Sequence, residues 1–362
     1  MSGLSREMII HPGETLKEIL TERGMSQQEL AVRAGVSPKH ISTILNGERN
    51  ISVSFAKKLE YALNIEAEFW LNLQNAYDKE ILEFDELNSI SEQELSIIKN
   101  LRDIFAYLVQ KGIIPICPLA EQKVLELRKF LHVSNLTSIP TLISSGAFRA
   151  QTSVAVDEYA LFAWQRICEA LTEKIIVNEE ISMAEQKKRV LNIIPEIKSL
   201  MFKPPKVFIP KLQDLLSKNG IAFYTAPFFK GVPVQGFIKH TPVNKLILCM
   251  TFRQKKADIF WFSLFHELGH FLNGDAKKKF IDFENVENEQ EVKADVFAQN
   301  SLLDQHQYKQ FIEKKDFSLL SIKAFAKKQG VLPCIVIGRL KKEGYLRWSV
   351  FSAEHIIYSD NI

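Results

Sequence analysis

One apolar stretch, residues 260–272, constrains this chain most, because His266-Glu267-Leu268-Gly269-His270 lies in its middle. On a helix, residues four apart lie on one face, so the ring nitrogens of His266 and His270 can hold one zinc ion. Glu267 is one position further round and can take a proton from a zinc-bound water. Apolar flanks indicate a buried helix, where such polar side chains are costly without a partner. The sequence therefore predicts a zinc site; the alternative is a core helix with two hydrogen-bonded histidines.

A third zinc ligand is expected from a later helix, within residues 289–298. From residue 291 to residue 302, acidic and apolar side chains recur at spacings of four, three and four, which places them on one helical face. They are Glu291, Asp295, Ala298 and Leu302. We assign Glu291 as the third ligand and Asp295 as the acceptor for the outer N–H of a ligand histidine. The alternative is that these acids only solvate a helix start, where negative charge is favoured.

Length and composition describe an ordinary globular protein. The 362 residues suggest two or three domains, and 46% apolar with 25% charged residues is the usual range. No apolar run approaches the ~20 residues that cross a bilayer, and the N-terminus has no apolar signal core. Four scattered cysteines indicate reduced thiols. These features predict a cytoplasmic protein with no membrane partner. A net charge of +3 is too small by itself to argue for nucleic acid.

Residues 10–75 have the pattern of several short amphipathic helices, two of which form a helix-turn-helix. Ser26 and Ser37 stand at N-cap positions, and Gly35 begins the tight turn between the two helices. Pro38 suits the first position of the third helix. Polar side chains on the outward face suit base edges and phosphates. The residues predicted to contact DNA are Gln27, Gln28, Lys39, His40, Ser42, Thr43, Asn46 and Arg49.

The charge of this segment argues against a broad DNA-binding surface. Residues 1–77 hold eight Lys/Arg and nine Asp/Glu, a net charge of −1. Residues 33–50 have a net charge of +2, so the basic face would be local. The alternative is a helical interaction module that does not bind DNA.

Three N-terminal stretches resemble HigA-type antitoxins of the Xre-like helix-turn-helix family. They are residues 9–16 (Ile-Ile-His-Pro-Gly-Glu-Thr-Leu), residues 25–31 (Met-Ser-Gln-Gln-Glu-Leu-Ala) and residues 45–49 (Leu-Asn-Gly-Glu-Arg). The resemblance covers about a fifth of the chain. It implies a homodimer on operator DNA that represses its own operon, and a possible toxin protein as partner.

The rest of the chain divides into a helical region and a mixed region. Residues 78–205 are predicted to be a helical linker or middle region, acidic at first and broken at 88–91. Residues 206–362 open with a helix at 211–218 and strands at 221–225, 234–239 and 245–250, ahead of the motif helix. With the helix-turn-helix domain at 1–77, this predicts a multidomain α+β protein. Its C-terminal domain is expected to be zincin-like, with edge strand 235–239 pairing with a substrate backbone.

The C-terminal motifs resemble the ImmA/IrrE family of zinc metallopeptidases. They are His266-Glu267-Leu268-Gly269-His270-Phe271-Leu272 and residues 291–298, with weaker matches at Phe148-Arg149, Ala163-Trp164, 324–326, 330–331 and 337–340. The resemblance implies a peptidase that cleaves helix-turn-helix repressors. Two features depart from the family: Asp295 stands where Asn is common, and the usual Pro after the ligand helix is missing at Leu303-Asp304.

Two functions follow. The first is a DNA-binding regulator or antitoxin with a working zinc peptidase, in which Glu267 is the general base and a repressor-type protein is the substrate. The alternative is a non-enzymatic antitoxin and autorepressor whose metal-site domain only binds a toxin or senses a signal. The tail, residues 317–348, has helix–Gly330–helix punctuation, but its apolar faces predict packing on the peptidase rather than DNA reading.

Overall fold

A computed structural model of the chain describes residues 6–143, 156–178, 181–241, 245–274 and 288–358. The sequence pair Phe148-Arg149 lies outside these residues. The chain forms two compact units, one of Met1–Leu95 with Cys117–Leu125 and one of Ser96–Ile116 with Glu126–Ile362. Within the described ranges, every helix is too short or too polar to cross a membrane.

The first unit is a bundle of helices, several of which begin at capping side chains. Ser26, Ser37 and Ser52 each accept a hydrogen bond from the backbone N–H of the third residue of the helix that follows. The helices are α1 (Pro12–Glu22), α2 (Gln27–Ala34), α3 (Pro38–Leu45), α4 (Val53–Leu63) and α5 (Ala67–Asn88). Their apolar faces enclose one core, whose fully buried members include Leu16, Leu30, Ile41, Phe55 and Trp70.

The turn between α2 and α3 fixes the angle of a helix-turn-helix. Gly35 adopts a left-handed backbone (φ 60°, ψ 47°), which glycine tolerates at little cost. The N–H of Val36 then donates to the carbonyl of Ala31 at 3.0 Å. Pro38 is the first residue of α3, where a missing N–H loses no helical hydrogen bond. The predicted helix-turn-helix is therefore confirmed.

A long helix leads out of this bundle. α5 continues through residue 77 as far as Asn88, and α6 (Glu92–Asn100) follows. The predicted break at 88–91 is confirmed. The backbone turns at Ser89, whose N–H donates to the carbonyl of Asp85 at 3.0 Å, and the Ser91 hydroxyl accepts from the N–H of Glu94 at 3.3 Å.

Helices also fill the region before the sheet, as predicted. They are α7 (Arg102–Gln110), α8 (Ala120–Leu131), α9 (Ile139–Ile143), α10 (Glu158–Glu173), α11 (Met183–Leu200) and α12 (Pro205–Lys218). The predicted start of α12 at residue 211 is too late. Pro204 is its N-cap and Pro205 its first residue, so the proline pair begins the helix instead of interrupting it.

The second unit contains a small sheet at the three predicted positions. Its strands are β1 (Ile221–Ala226), β2 (Gly236–His240) and β3 (Leu246–Thr251), in the order β1-β3-β2. β1 is parallel to β3, and β2 is antiparallel to it. All six residues of β3 are buried because β3 is central. β2 is therefore an edge strand of the sheet in the described part of the chain.

Five helices complete the second unit: α13 (Ala257–Asn273), α14 (Asn288–Leu302), α15 (Gln305–Glu313), α16 (Leu319–Gln329) and α17 (Pro333–Lys342). The turn into α17 repeats the turn into α3. Gly330 is left-handed (φ 65°, ψ 38°), and the N–H of Val331 donates to the carbonyl of Ala326 at 3.1 Å. Unlike α3, α17 buries most of its residues, including Cys334 and Ile337. The prediction that the tail packs rather than presents a reading face is thus confirmed. The zincin-like class of this unit stays a prediction.

Candidate metal centre and DNA-reading face

The motif helix α13 is held rigidly in the core of the second unit. Trp261, Phe265 and Leu268 on its apolar side are fully buried. The indole N–H of Trp261 donates to the hydroxyl of Tyr358 at 2.8 Å. Gly274, with a left-handed backbone (φ 92°), ends the helix. The packing of this apolar side therefore fixes the positions from which the polar side chains of α13 extend.

The helix α14 approaches α13 closely because small residues line the contact. A Cβ built on Gly269 would lie 3.1 Å from the Cα of Ala294. Ala294 and Ala298 are fully buried, and Leu302 is nearly so. The apolar part of the predicted stripe therefore faces inward. Glu291 and Asp295 lie on the same side of α14, where they reach the motif histidines.

The structure brings the three predicted zinc ligands together. Nε2 of His266 lies 3.2 Å from one carboxylate oxygen of Glu291, and Nε2 of His270 lies 3.4 Å from the other. The two Nε2 atoms are 3.0 Å apart. One ligand atom from each residue lies within 4.8 Å of the others. Two imidazole nitrogens and a carboxylate oxygen are donors that zinc takes in catalytic sites, so the residues fit a zinc ion.

The predicted outer carboxylate is also in place. Oδ1 of Asp295 lies 2.9 Å from Nδ1 of His266, so Nδ1 can carry the proton while Nε2 faces Glu291. The ammonium group of Lys342 donates to Oδ2 of Asp295 at 3.2 Å. The sequence did not indicate Lys342, because it lies on α17, 47 residues beyond Asp295, and no local spacing connects them.

The charges of the centre favour a cation. Burial by itself lowers the pKa of His266, but hydrogen bonds to Asp295 and Glu291 raise it to about 10. Hydrogen bonds from His266 and His270 hold the pKa of Glu291 well below its usual range. The hydrogen bond from His266 likewise lowers the pKa of Asp295. A proton on His266 satisfies this demand for positive charge, and a metal ion could take its place.

Glu267 differs from the other two carboxylates. Burial raises its pKa, while His266 and His270 nearby act in the opposite direction. The backbone N–H of Ile238 donates to its carboxylate. Ile238 lies on β2, so the edge strand touches the predicted general base directly. Only the three-dimensional fold supplies this contact, because a backbone amide leaves no signal in the sequence.

The predicted DNA-reading residues lie on α2, α3 and the segment after α3. Most of them are exposed, namely Gln27, Gln28, Lys39, Asn46 and Arg49, whereas Ser42 and Thr43 are half-buried. Thr43 donates its hydroxyl to the carbonyl of His40 at 3.0 Å.

His40 is the exception on this face. Its ring packs edge-on against Phe55 at 4.8 Å, and its Nε2 is shielded from solvent without a hydrogen-bond partner. Burial lowers the pKa of His40, which favours the neutral ring. The side chain of His40 is therefore directed toward the domain core more than toward solvent.

The structure gives a role to His11, for which the sequence offered none. Nδ1 of His11 accepts from the N–H of Gly13 at 2.9 Å and so caps α1. A Cβ on Gly13 would lie 2.1 Å from the carbonyl oxygen of Ile44 on α3, so the small residue lets α1 and α3 meet. The His-Pro-Gly-Glu stretch that begins α1 thus has a structural explanation.

Known proteins resemble the N-terminal part of the chain. A helix-turn-helix family model matches residues 16–70. Virulence-associated protein I of Dichelobacter nodosus is 38% identical over 85 residues, which cover 23% of this chain and 79% of that protein. The uncharacterized HTH-type transcriptional regulator YddM of Escherichia coli (strain K12) is 33% identical over 66 residues, covering 18% of this chain and 70% of that protein.

Among solved structures, an addiction module antidote protein of a HigA family from Coxiella burnetii is 30% identical. The match covers 30% of this chain and 97% of that chain, with a TM-score of 0.19. The residues of the family match coincide with the capped helices, the left-handed Gly35 turn and the exposed polar face described above. The chain therefore belongs, through its N-terminal domain, to the helix-turn-helix family of DNA-binding regulators.

Proposed function

We propose that this protein is a DNA-binding regulator whose second unit is a zinc-dependent peptidase. The observation that carries the proposal is the convergence of His266, His270 and Glu291 within 4.8 Å, from two helices separated in the sequence. Glu267, on the same helix as both histidines, supports catalysis rather than a purely structural ion, because a structural site does not need it.

Zinc held by His266, His270 and Glu291 would act as a Lewis acid that makes a water nucleophilic at neutral pH and polarises a peptide carbonyl. Glu267 accepts the proton of the attacking water and returns it to the leaving nitrogen. The N–H of Ile238 orients the Glu267 carboxylate. The raised pKa of Glu267 suits a group that must both take and give a proton. Asp295 holds the ring of His266 in one orientation.

The edge strand β2 supports an extended polypeptide as substrate. At one end of β2, the N–H of Thr251 on β3 donates to the carbonyl of Gln235 at 2.7 Å. At the other end, the N–H of Thr241 donates at 2.8 Å to the carbonyl of Lys245, the residue before β3. Because bonded and non-bonded residues alternate along an antiparallel pair, the backbone groups of Gly236, Ile238 and His240 point away from β3. On this side the N–H of Ile238 is directed at the Glu267 carboxylate, and the remaining outward backbone groups of β2 are those with which a substrate strand would pair.

The partners follow from joining the two activities in one chain. The N-terminal domain binds operator DNA as a homodimer, and the substrate is a repressor-type protein brought to the same operator. Tethering gives the peptidase a high effective concentration near that substrate. A co-encoded toxin is a further partner, in keeping with the antidote protein that the N-terminal domain resembles in sequence.

The test is the variant Glu267→Gln, compared with wild type for zinc content, operator binding and cleavage of repressors encoded nearby. Glutamine cannot accept the proton of water, so zinc content and operator binding are expected to persist while cleavage is lost. Asp214→Asn on α12 is a matched control, since this exposed carboxylate pairs only with Lys218 among the described contacts.

Derepression in cells distinguishes the two functions. If Glu267→Gln derepresses as fast as wild type, hydrolysis is not the switch. A non-enzymatic antitoxin and autorepressor, whose second unit only binds a toxin or senses a signal, would then take the place of the peptidase.

A further inference from the structure

The helix α11 touches the ends of both helices that carry the candidate ligands. The ammonium group of Lys187 donates to the carbonyl of Leu272 in the last turn of α13, at 2.9 Å. The ammonium group of Lys198 donates to the carbonyl of Leu302, the last residue of α14, also at 2.9 Å. The two lysines are eleven positions apart, about three helical turns, so both point from one face of α11.

These acceptors are groups that a helix cannot satisfy by itself. The last four carbonyls of a helix lack intrahelical partners, and the negative end of the helix dipole lies there. A basic residue in the last turn normally meets both needs, but α14 has none. In α13 the last turn offers only His270, which is a candidate ligand. α11 therefore supplies one cation from outside to the end of each helix, and at α14 it does so beside Arg339 of α17, which donates to the carbonyl of Gln299 at 3.5 Å.

The two contacts act at different distances from the centre. Leu272 is two residues after His270, so Lys187 holds α13 beside a ligand. Ala294 is the residue of α14 that packs against Gly269 of α13. Leu302 lies about 12 Å along α14 from Ala294, and Glu291 lies about 4.5 Å from it in the opposite direction. A tilt of α14 about Ala294 therefore reaches Glu291 with less than half of the displacement at Leu302.

We propose that Lys187 and Lys198 are positioning residues that set α13 and α14 in the relative placement that brings His266, His270 and Glu291 to one ion. This inference rests on the proposed zinc site. It assigns to α11 the alignment of the two ligand helices. Each lysine acts through the helix end that it contacts, not through the ion or the substrate.

The test is zinc affinity of the full chain, measured by competition with a chromogenic chelator, well below the unfolding temperature. Lys187→Met is expected to weaken zinc binding about tenfold, the lower end of the usual loss when a supporting partner of a ligand is removed. Lys198→Met should weaken zinc binding about threefold, because a tilt of α14 about Ala294 moves Glu291 less than half as far as it moves Leu302. Lys187→Arg and Lys198→Arg keep a cation with a similar reach and should restore most of the affinity.

Lys188→Met is the matched control, because Lys188 is the exposed neighbour of Lys187 on the same helix. It should bind zinc as wild type does. Wild-type affinity in Lys187→Met, or an equal loss in Lys188→Met, would overturn the positioning role and leave the zinc site standing. A wild-type chain that binds no zinc would overturn the site itself and this inference with it. The arginine variants remain informative if a methionine variant does not fold.

Discussion

Gly269 of α13 and Ala294 of α14 meet backbone to backbone: a Cβ on Gly269 would lie 3.1 Å from the Cα and 3.2 Å from the carbonyl oxygen of Ala294. The contact sets the separation of the two helices directly beside the ligands, since His270 follows Gly269 and Glu291 lies one turn before Ala294. The glycine inside the His-Glu-x-x-His pattern therefore determines the distance across the centre.

Gly269→Ala is expected to destabilise the protein and weaken zinc binding. Alanine gains up to about 1 kcal/mol of helix propensity over glycine, but overpacking a rigid contact costs about 1–3 kcal/mol. Backbone atoms cannot move aside, so the net effect should be a loss of about 1 kcal/mol, with zinc affinity reduced as the ligands separate. Thermal unfolding and chelator competition measure both.

Gly338→Ala provides the control. An added Cβ there would lie 3.1 Å from a side-chain oxygen of Asp258, which can rotate away. It should leave zinc affinity unchanged and cost less stability than Gly269→Ala. Equal losses in the two variants would contradict the role assigned to the Gly269 contact.

Asp295 should matter through the hydrogen bond it accepts from His266. Asp295→Ala removes the acceptor and is expected to lower zinc affinity about 10- to 100-fold. Asp295→Asn keeps an acceptor oxygen but loses the charge paired with Lys342, so its loss should be smaller. Chelator competition separates the two variants. An asparagine variant as impaired as the alanine variant would show that charge, rather than the hydrogen bond, is what the centre needs.

Zinc binding should strengthen as pH rises. In the metal-free protein the pKa of His266 is about 10, so near neutral pH the ion must displace a proton from it. One released proton corresponds to an affinity gain of about tenfold per pH unit below that pKa. Calorimetry in buffers of different ionisation enthalpy counts the released protons. A count of zero at pH 7 would contradict a protonated His266.

The same group makes the metal-free protein more stable at lower pH. Its folded pKa lies above the ordinary value of 6.5. The stabilisation is therefore fully present below pH 6.5 and is lost as pH rises toward about 10. Thermal unfolding in the presence of a chelator should show this decline, and His266→Gln should remove it.

Much of this architecture follows from local sequence signals. Ser26, Gly35 and Pro38 specify caps and a turn through the conformations that each residue prefers, so the helix-turn-helix was predictable. The convergence of His266, His270 and Glu291 was predictable too, because both histidines share one helix and Glu291 lies on an apolar stripe. In each case the residues that gave the sequence signal lie within a few helical turns of the feature that they predicted.

The supporting contacts could not be predicted in this way. Lys187, Lys198 and Lys342 reach the two ligand helices from distant elements, and exposed and half-buried lysines look alike in a sequence. His40 shows that the orientation of a side chain is equally hard to predict. Its position on α3 suggested an outward side chain, but the aromatic ring of Phe55 draws it inward. Packing between different helices determines where these side chains point. The periodicity of apolar residues within one helix carries no information about that packing.

The DNA-binding domain offers the last prediction, which contrasts Arg49 with Ser42 and His40. Arg49 is exposed after α3 and is assigned to phosphate contact, so Arg49→Ala should weaken binding to every duplex and reduce the slope of log affinity against log salt by about 1. Ser42→Ala, on the reading face, should instead change base preference at a cost of about 1–3 kcal/mol at one position. His40→Ala should lower the unfolding temperature, because it removes the ring contact with Phe55.

Binding titrations of the full chain at several salt concentrations, on a twofold-symmetric operator and on a scrambled duplex, together with thermal unfolding, separate the three effects. A salt slope unchanged in Arg49→Ala would remove Arg49 from the phosphate contacts, and a uniform loss in Ser42→Ala would remove Ser42 from base reading.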